Sequence, residues 1–228
     1  MNKYKIIYID ESKDDSDDFL DYIEAQTNSD KFEVNVMFPK ATIDEMLESI
    51  FNEPIDAVVM DYKLNDLKTH ITYNIPYDGV QLAEKILSKK INFPCFVITS
   101  YDSDAIRASQ DVNLVYIKDI LHGSEKKTEA KATLLDKIEN QILHYRKKIS
   151  QSIKEMENLL KKEFLNGDEE NRLLELDTFI EKATDAPTAL PKNFKENSNL
   201  QALHKMIENT DSILTELRGE LNGKNSKA

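Results

Sequence analysis

Polar residues stand where four apolar runs of the chain stop. Asp10 and Glu11 follow "YKIIYI", Asp61 ends "AVVMD", Thr99 and Ser100 end "FPCFVITS", and Lys118 follows "NLVYI". An apolar run that halts at a polar side chain is how a buried strand delivers that side chain to the edge of a sheet. If those edges coincide, three carboxylates, a hydroxyl and an ammonium share one crevice. Carboxylates so close repel one another unless a divalent cation neutralises them, and an all-oxygen ligand set favours Mg²⁺, which keeps waters and needs few protein ligands. Lys118 and Thr99 then offer a point charge and a hydrogen bond to the oxygens of a phosphoryl group. Taken singly, Asp10 or Asp61 reads as the N-cap of the helix that follows its strand. Taken together, the residues read as a site.

The elements between them decide whether the edges meet. "YKIIYID" is a strand, and "DDFLDYIEAQ" places Phe19, Leu20 and Ile23 at helical spacing. "FEVNVMF" alternates as a strand, "TIDEMLESIF" puts Ile43, Met46, Leu47 and Ile50 on one helix face, and "PIDAVVMD" is again a strand. The alternation continues through the helix "GVQLAEKILSK", the strand "FPCFVITS", the short helix "SDAIRASQ", the strand "NLVYIKD" and the helix "KATLLDKIENQIL". Five strands alternating with five helices predict an α/β fold, a five-stranded doubly wound parallel sheet covered on both faces. In such a sheet the ligand site lies outside the carboxyl ends of the strands, where strand order reverses.

The set Asp10-Glu11, Asp61, Thr99-Ser100 and Lys118, in that order at those strand ends, resembles the receiver domain of two-component response regulators, a flavodoxin-like fold. The resemblance covers roughly residues 1–124 and a fifth helix beyond. It implies that Asp61 accepts a phosphoryl group from the phosphohistidine of a partner histidine kinase or phosphotransfer protein. It further implies that Glu11 and Asp61 bind Mg²⁺ directly with the backbone carbonyl of Lys63, that Asp10 assists through water, and that Thr99 and Lys118 contact the phosphoryl group. Such a reaction is carboxylate nucleophilic catalysis governed by positioning and charge neutralisation. A haloacid-dehalogenase-type phosphatase also uses a nucleophilic Asp, but needs a second acid two residues on, where this chain has Lys63.

Several positions depart from the receiver pattern. The loop 62–77 delays Asp78-Gly79 well beyond the roughly 2 to 6 residues of an ordinary strand-to-helix loop, and reads either as a gate over Asp61 or as a tolerated surface insertion. Lys118 precedes Asp119, where receivers usually carry proline. The position three before the lysine, commonly a switching aromatic, is Val115, and Tyr116 next to it has the opposite strand parity. Lys63 and Tyr101 occupy positions that in the family influence how readily water attacks the acyl phosphate, and their size predicts a persistent phosphoryl group.

Bulk properties narrow the classes. The chain has 228 residues and a formal net charge of −12, of which residues 1–124 carry −11 and the remainder −1. An acidic first half repels phosphate backbones, and the second half shows no basic stripe with a recognition helix, so no nucleic acid partner is expected. The apolar stretch Ile6–Ile9 is too short for a signal core or a membrane span, which makes the cytoplasm the expected compartment and no membrane association the expectation. The single cysteine, Cys95, lies in an apolar run and reads as buried and inert. His70, His122, His144 and His204 have no paired metal spacing.

The second half reads as helical. Ile138, Ile142, Tyr145, Ile149, Met156 and Leu159 follow a 3-4 alternation, which predicts that the fifth helix runs on into a coiled coil able to pair with another chain as a homodimer. "NGD" at 166–168 breaks it, with Asp168 the expected cap of the next helix. A linker with Pro187 and Pro191 leads to a last amphipathic segment bearing Leu200, Leu203, Ile207, Leu214 and Leu217. The expected organisation is a receiver domain (1–128), a long helix or coiled-coil connector (129–165), a helical C-terminal domain (166–221) and a disordered tail (222–228). The expected role is a response regulator rather than an enzyme, with output through protein contacts of the helical half. Two other readings remain open, a degenerate receiver serving as a docking scaffold and a phosphoryl sink that drains a kinase.

Overall fold

The computed structural model describes residues 3–65, 73–100, 114–118, 133–162 and 165–184. Five strands, β1 (Tyr4–Ile9), β2 (Phe32–Met37), β3 (Ala57–Asp61), β4 (Cys95–Thr99) and β5 (Val115–Ile117), form one sheet in the order β2-β1-β3-β4-β5. Every pairing is parallel. This is the flavodoxin-like doubly wound order, whose switch point falls between β1 and β3. All five residues of β3 and of β4 are buried, as central strands covered on both faces must be.

Strand parity sorts the core into two layers. Ile6, Tyr8, Ala57, Val59, Phe96 and Ile98 point to the face covered by α1 (Lys13–Glu24) and α4 (Leu134–Leu160). Ile7, Ile9, Val58, Met60, Cys95 and Val97 point to the face covered by α2 (Ile43–Phe51) and α3 (Gly79–Lys89). Cys95 sits there at 4% exposure, and burial raises its thiol pKa, in keeping with an inert role.

Each helix start is fixed by a side-chain cap. Ser12 accepts from the Asp15 N–H at the head of α1, and Thr42 with Glu45, Asp78 with Gln81 and Thr133 with Asp136 form reciprocal capping boxes. At α5 (Gly167–Thr184) the expectation of Asp168 as cap is corrected. Asn166 Oδ1 accepts from the Glu169 N–H at 2.9 Å, and Glu169 Oε2 accepts from the Asn166 N–H at 3.1 Å, which leaves Asp168 in the first turn.

The long loop is built into the core at its base. Leu64, Ile75 and Tyr77 are buried among the α2 and α3 side chains. Asn65 spans the loop, accepting from the Ile75 N–H at 3.0 Å and donating to Asn74 Oδ1 at 3.1 Å. Tyr73 and Tyr77 donate their hydroxyls to the carbonyls of Pro39 and Lys40, at 2.7 and 2.8 Å. The insertion is therefore fastened to the loop between β2 and α2, while residues 66–72 lie outside the described residues.

The expected continuation of the fifth helix is found in α4, 27 residues long. Its first turns belong to the α/β core, because Leu134, Leu135, Ile138 and Ile142 are at most 1% exposed beneath the sheet. Farther on, the stripe read as a coiled coil meets a partner within the chain. Tyr145 packs edge-on against Phe93 at 5.8 Å and donates its hydroxyl to the carbonyl of Ala183, in α5. Ile149 and Phe179 join the same cluster. The short helix expected over 103–110, the linker and the last amphipathic segment lie outside the described residues. Among the described residues no helix is long and apolar enough to cross a membrane.

Candidate functional site

Register brings the strand-end residues to one level. Ile9 pairs with Met60 and Asp61 with Ile98, so Asp10, Asp61 and Thr99 succeed one another across the carboxyl edge beside the switch point. Thr99 in turn pairs with Ile117, one residue before Lys118. Asp10, Glu11 and Thr99 are all at most 4% exposed, and Asp61 is 8% exposed.

Lys118 draws three of these elements together. Its Nζ lies 2.9 Å from Asp61 Oδ1, 3.3 Å from Asp10 Oδ2 and 2.7 Å from Asp15 Oδ2. The other oxygen of Asp61 accepts from the Lys63 N–H at 2.8 Å, and Asp10 Oδ1 accepts from the Ser12 N–H at 2.9 Å. Asp10 Oδ2 also accepts from the Tyr8 hydroxyl at 2.8 Å. Neither strand-end acid is a helix cap, since Ser12 caps α1 and Asp78 caps α3.

Burial governs the protonation of the cluster. It raises the Asp61 pKa to about 6, against the pull of Lys118, with the nearby charge of Asp10 adding to the rise. Asp10 is likewise raised by burial, against Lys118 and the Ser12 N–H. Burial works against the charge of Lys118, but Asp61 and Asp10 outweigh it and hold the ammonium above its ordinary range. At neutral pH Asp61 is thus predominantly a carboxylate facing an ammonium, the ionisation a nucleophilic carboxylate requires.

The donor chemistry suits Mg²⁺. Asp10, Glu11 and Asp61 offer only oxygens, and Lys63, whose N–H donates to Asp61, carries the main-chain carbonyl that the receiver resemblance expects to join them. Among the described residues no three His, Cys, Asp or Glu side chains stand as a ready cation cage. Mg²⁺ commonly takes one or two carboxylates and keeps its waters, and the carboxylate oxygens of Asp10, Glu11 and Asp61 are donors of that kind.

Two participants escaped the sequence reading. Tyr8 looks like core, and it is, stacked on Phe19 at 4.1 Å, yet its hydroxyl reaches Asp10 two residues on along the same strand face. Asp15 is one of several acids in "SKDDSDD" and nothing in their spacing distinguishes it. Tyr116 has the parity expected of it. It faces α1 and α4, with its ring 5.6 Å from Phe96 and the Lys137 ammonium 4.8 Å from its centroid, while Val115 lies half-buried on the opposite face. Ser100 is exposed beside Thr99 and His144 is exposed on α4, whereas Tyr101, Asp119, His70, His122 and His204 lie outside the described residues.

Fold and strand-end set together have the form of a response-regulator receiver domain followed by helices. No family model matches the chain and no curated protein matches it. Solved structures that resemble it include the RcsB response regulator of Salmonella typhimurium, in a study of conformational dynamism for DNA interaction. That match has a TM-score of 0.38 and 14% identity, covering 83% of this chain and 91% of the other. A second structure of the same regulator gives 0.41 and 13%, over 84% and 95%. RcsB of Salmonella enterica serovar Typhimurium, bound to promoter P1flhDC with the phosphomimetic BeF3⁻, gives 0.37 and 15%, over 88% and 97%. The DNA in these descriptions is a partner of RcsB.

Proposed function

We propose that the chain is a response regulator in which Asp61 accepts a phosphoryl group from a histidine kinase or phosphotransfer protein. The observation that carries this reading is the ammonium of Lys118 at 2.9 Å from Asp61 and 3.3 Å from Asp10, at the carboxyl edge of the sheet. A carboxylate oxygen of Asp61 attacks phosphorus, a P–O bond to Asp61 forms as the P–N bond of the phosphohistidine breaks, and the departing imidazole keeps the electron pair and takes up a proton. Lys118 then neutralises a phosphoryl oxygen, and Thr99, at the end of the neighbouring strand, supplies a hydroxyl for another. Mg²⁺, held by Glu11, Asp61 and the Lys63 carbonyl with Asp10 in support, would supply further charge neutralisation. The output is protein contact through the helical half, in keeping with the acidic charge of residues 1–124, which disfavours nucleic acid.

The test is labelling of the purified chain by a small acyl phosphate with Mg²⁺, followed by mapping of the modified residue. Label on Asp61, abolished by Asp61→Asn, is the expected result; equal labelling of that variant refutes the assignment. A docking scaffold that does not switch is the second reading, and Tyr116 favours it. Its ring packs 5.6 Å from Phe96 with the Lys137 ammonium 4.8 Å from its centroid, and Val115 stands where receivers commonly carry the switching aromatic. A labelled chain with unchanged hydrogen exchange in the helices would select the scaffold.

A further inference from the structure

An ammonium has three N–H donors, and Lys118 directs them at three carboxylates from three elements: Asp10 after β1, Asp61 at the end of β3 and Asp15 in the first turn of α1. Two acceptors define an axis about which Nζ can swing on its four-carbon stem, and a third fixes the point. Asp15 provides that third contact at 2.7 Å, the shortest of the set. Asp15 is itself held in place. Its N–H donates to Ser12 Oγ at 3.2 Å, and the Ser12 N–H donates to Asp10 Oδ1 at 2.9 Å. The contacts close a ring from Asp10 through Ser12, Asp15 and Lys118 back to Asp10, with Asp61 bound to the ammonium from the side. The ring ties the ammonium to the cap of α1, and no proline follows Lys118 to restrain its peptide.

We propose that Asp15 is a positioning residue for the phosphoryl-transfer site, holding the Lys118 ammonium over Asp61 from the first turn of α1. Of the three carboxylates, only Asp15 is substantially open to water, at 45% side-chain exposure against 1% for Asp10 and 11% for Asp61. It is therefore the one whose contact can be removed without leaving a buried charge unpaired. The inference rests on the reading of Asp61 as phosphoacceptor.

The experiment compares the parent with Asp15→Ala and Asp15→Glu by two measurements. In the first, the Nζ–H correlation spectrum of lysine-labelled, metal-free protein detects whether the Lys118 ammonium protons exchange slowly, with Lys118→Arg identifying the signal. In the second, the rate of labelling is followed against small acyl phosphate concentration with Mg²⁺. Asp15→Ala is expected to lose the slow ammonium signal and to lower the maximal labelling rate about 10- to 100-fold, as misplacement of a catalytic group by an ångström does, with the half-saturating concentration changed less than about twofold. Asp15→Glu, which keeps a carboxylate, is expected to restore both in part. An unchanged ammonium signal in Asp15→Ala overturns the proposal, as does an unchanged maximal rate despite a lost signal. If the parent takes no label on Asp61, the phosphoacceptor reading fails, and the ammonium spectrum still decides whether Asp15 holds Lys118.

Discussion

Asp61 carries its charge against its surroundings. Burial, opposed by Lys118, moves its pKa from an ordinary 3.8 to about 6, so between those values the folded chain holds a proton that the unfolded chain has released. Stability from this group is full below about pH 4 and is lost as pH rises through about 6. In metal-free buffer Asp61→Asn should therefore raise stability at pH 7 by about 1–3 kcal/mol, from 1.36 kcal/mol per unit of displacement, and should flatten the pH dependence below 6. Urea midpoints at pH 5 and 7 check both parts; a variant less stable than the parent at pH 7 contradicts the first. Millimolar Mg²⁺ should narrow the gap, because a cation that binds only the native parent adds RT ln(1 + [L]/Kd) to its stability. Tyr8 is the opposite case, a neutral donor satisfying a buried acid. Tyr8→Phe keeps the stack on Phe19 and removes the donor to Asp10, for an expected loss of about 1.5–3 kcal/mol in the same titration.

At the scale of elements, the start of α3 is pressed against the strand that bears Asp61. The Gly79 N–H donates to the Tyr62 carbonyl at 2.7 Å, and a Cβ on Gly79 would stand 2.1 Å from the Asp61 carbonyl oxygen, with backbone on both sides of the clash. Gly79→Ala should cost about 3 kcal/mol or more, since neither strand nor helix start can yield alone, and it should also displace Asp61 and slow its labelling. A melt within a degree of the parent's would show that the approach is looser than described. The Asp78-Gly79 pair was legible in the sequence as a delayed turn, but its reason was not, because close approach of two backbones has no local signature. The same divide runs through the site. Asp10, Asp61, Thr99 and Lys118 were readable because each terminates an apolar strand, and parallel strands share a carboxyl edge. Tyr8 and Asp15 were hidden, one among core aromatics and the other among solvated acids, since only tertiary placement gives them a partner. Asn166 was passed over for Asp168 because either residue type caps well and the sequence does not show where the turn begins.

For the molecule as a whole, the question is how the site reaches the helices. At 1.5 Å per residue α4 is about 40 Å long, and only its first turns are seated on the sheet. Beyond them, an aromatic chain from Phe51 through Phe93 to Tyr145 joins the end of α2, the entry to β4 and the middle of α4, with ring centroids 6.0 and 5.8 Å apart. The Lys90 ammonium lies over Phe93 at 4.8 Å. Phe93 precedes β4 and Thr99 ends it, so this junction lies at the opposite end of β4 from the strand-end cluster. The sheet and its helices, which carry the strand-end cluster at one end and this junction at the other, offer a route between the proposed phosphorylation site and α5. Tyr145 is the residue on which the attachment of α5 can be tested. Tyr145→Phe keeps the ring on Phe93 but removes the hydroxyl donated to the Ala183 carbonyl, and should speed amide exchange in 167–184 by about 3- to 10-fold, the equivalent of one hydrogen bond, with β1 and β3 unaffected. Tyr145→Ala also removes the ring and should speed exchange in α5 further, by about 2–4 kcal/mol of lost protection. If α5 exchanges at the parent's rate in both variants, its attachment does not run through Tyr145, and the contacts of Leu176 and Phe179 must hold it instead.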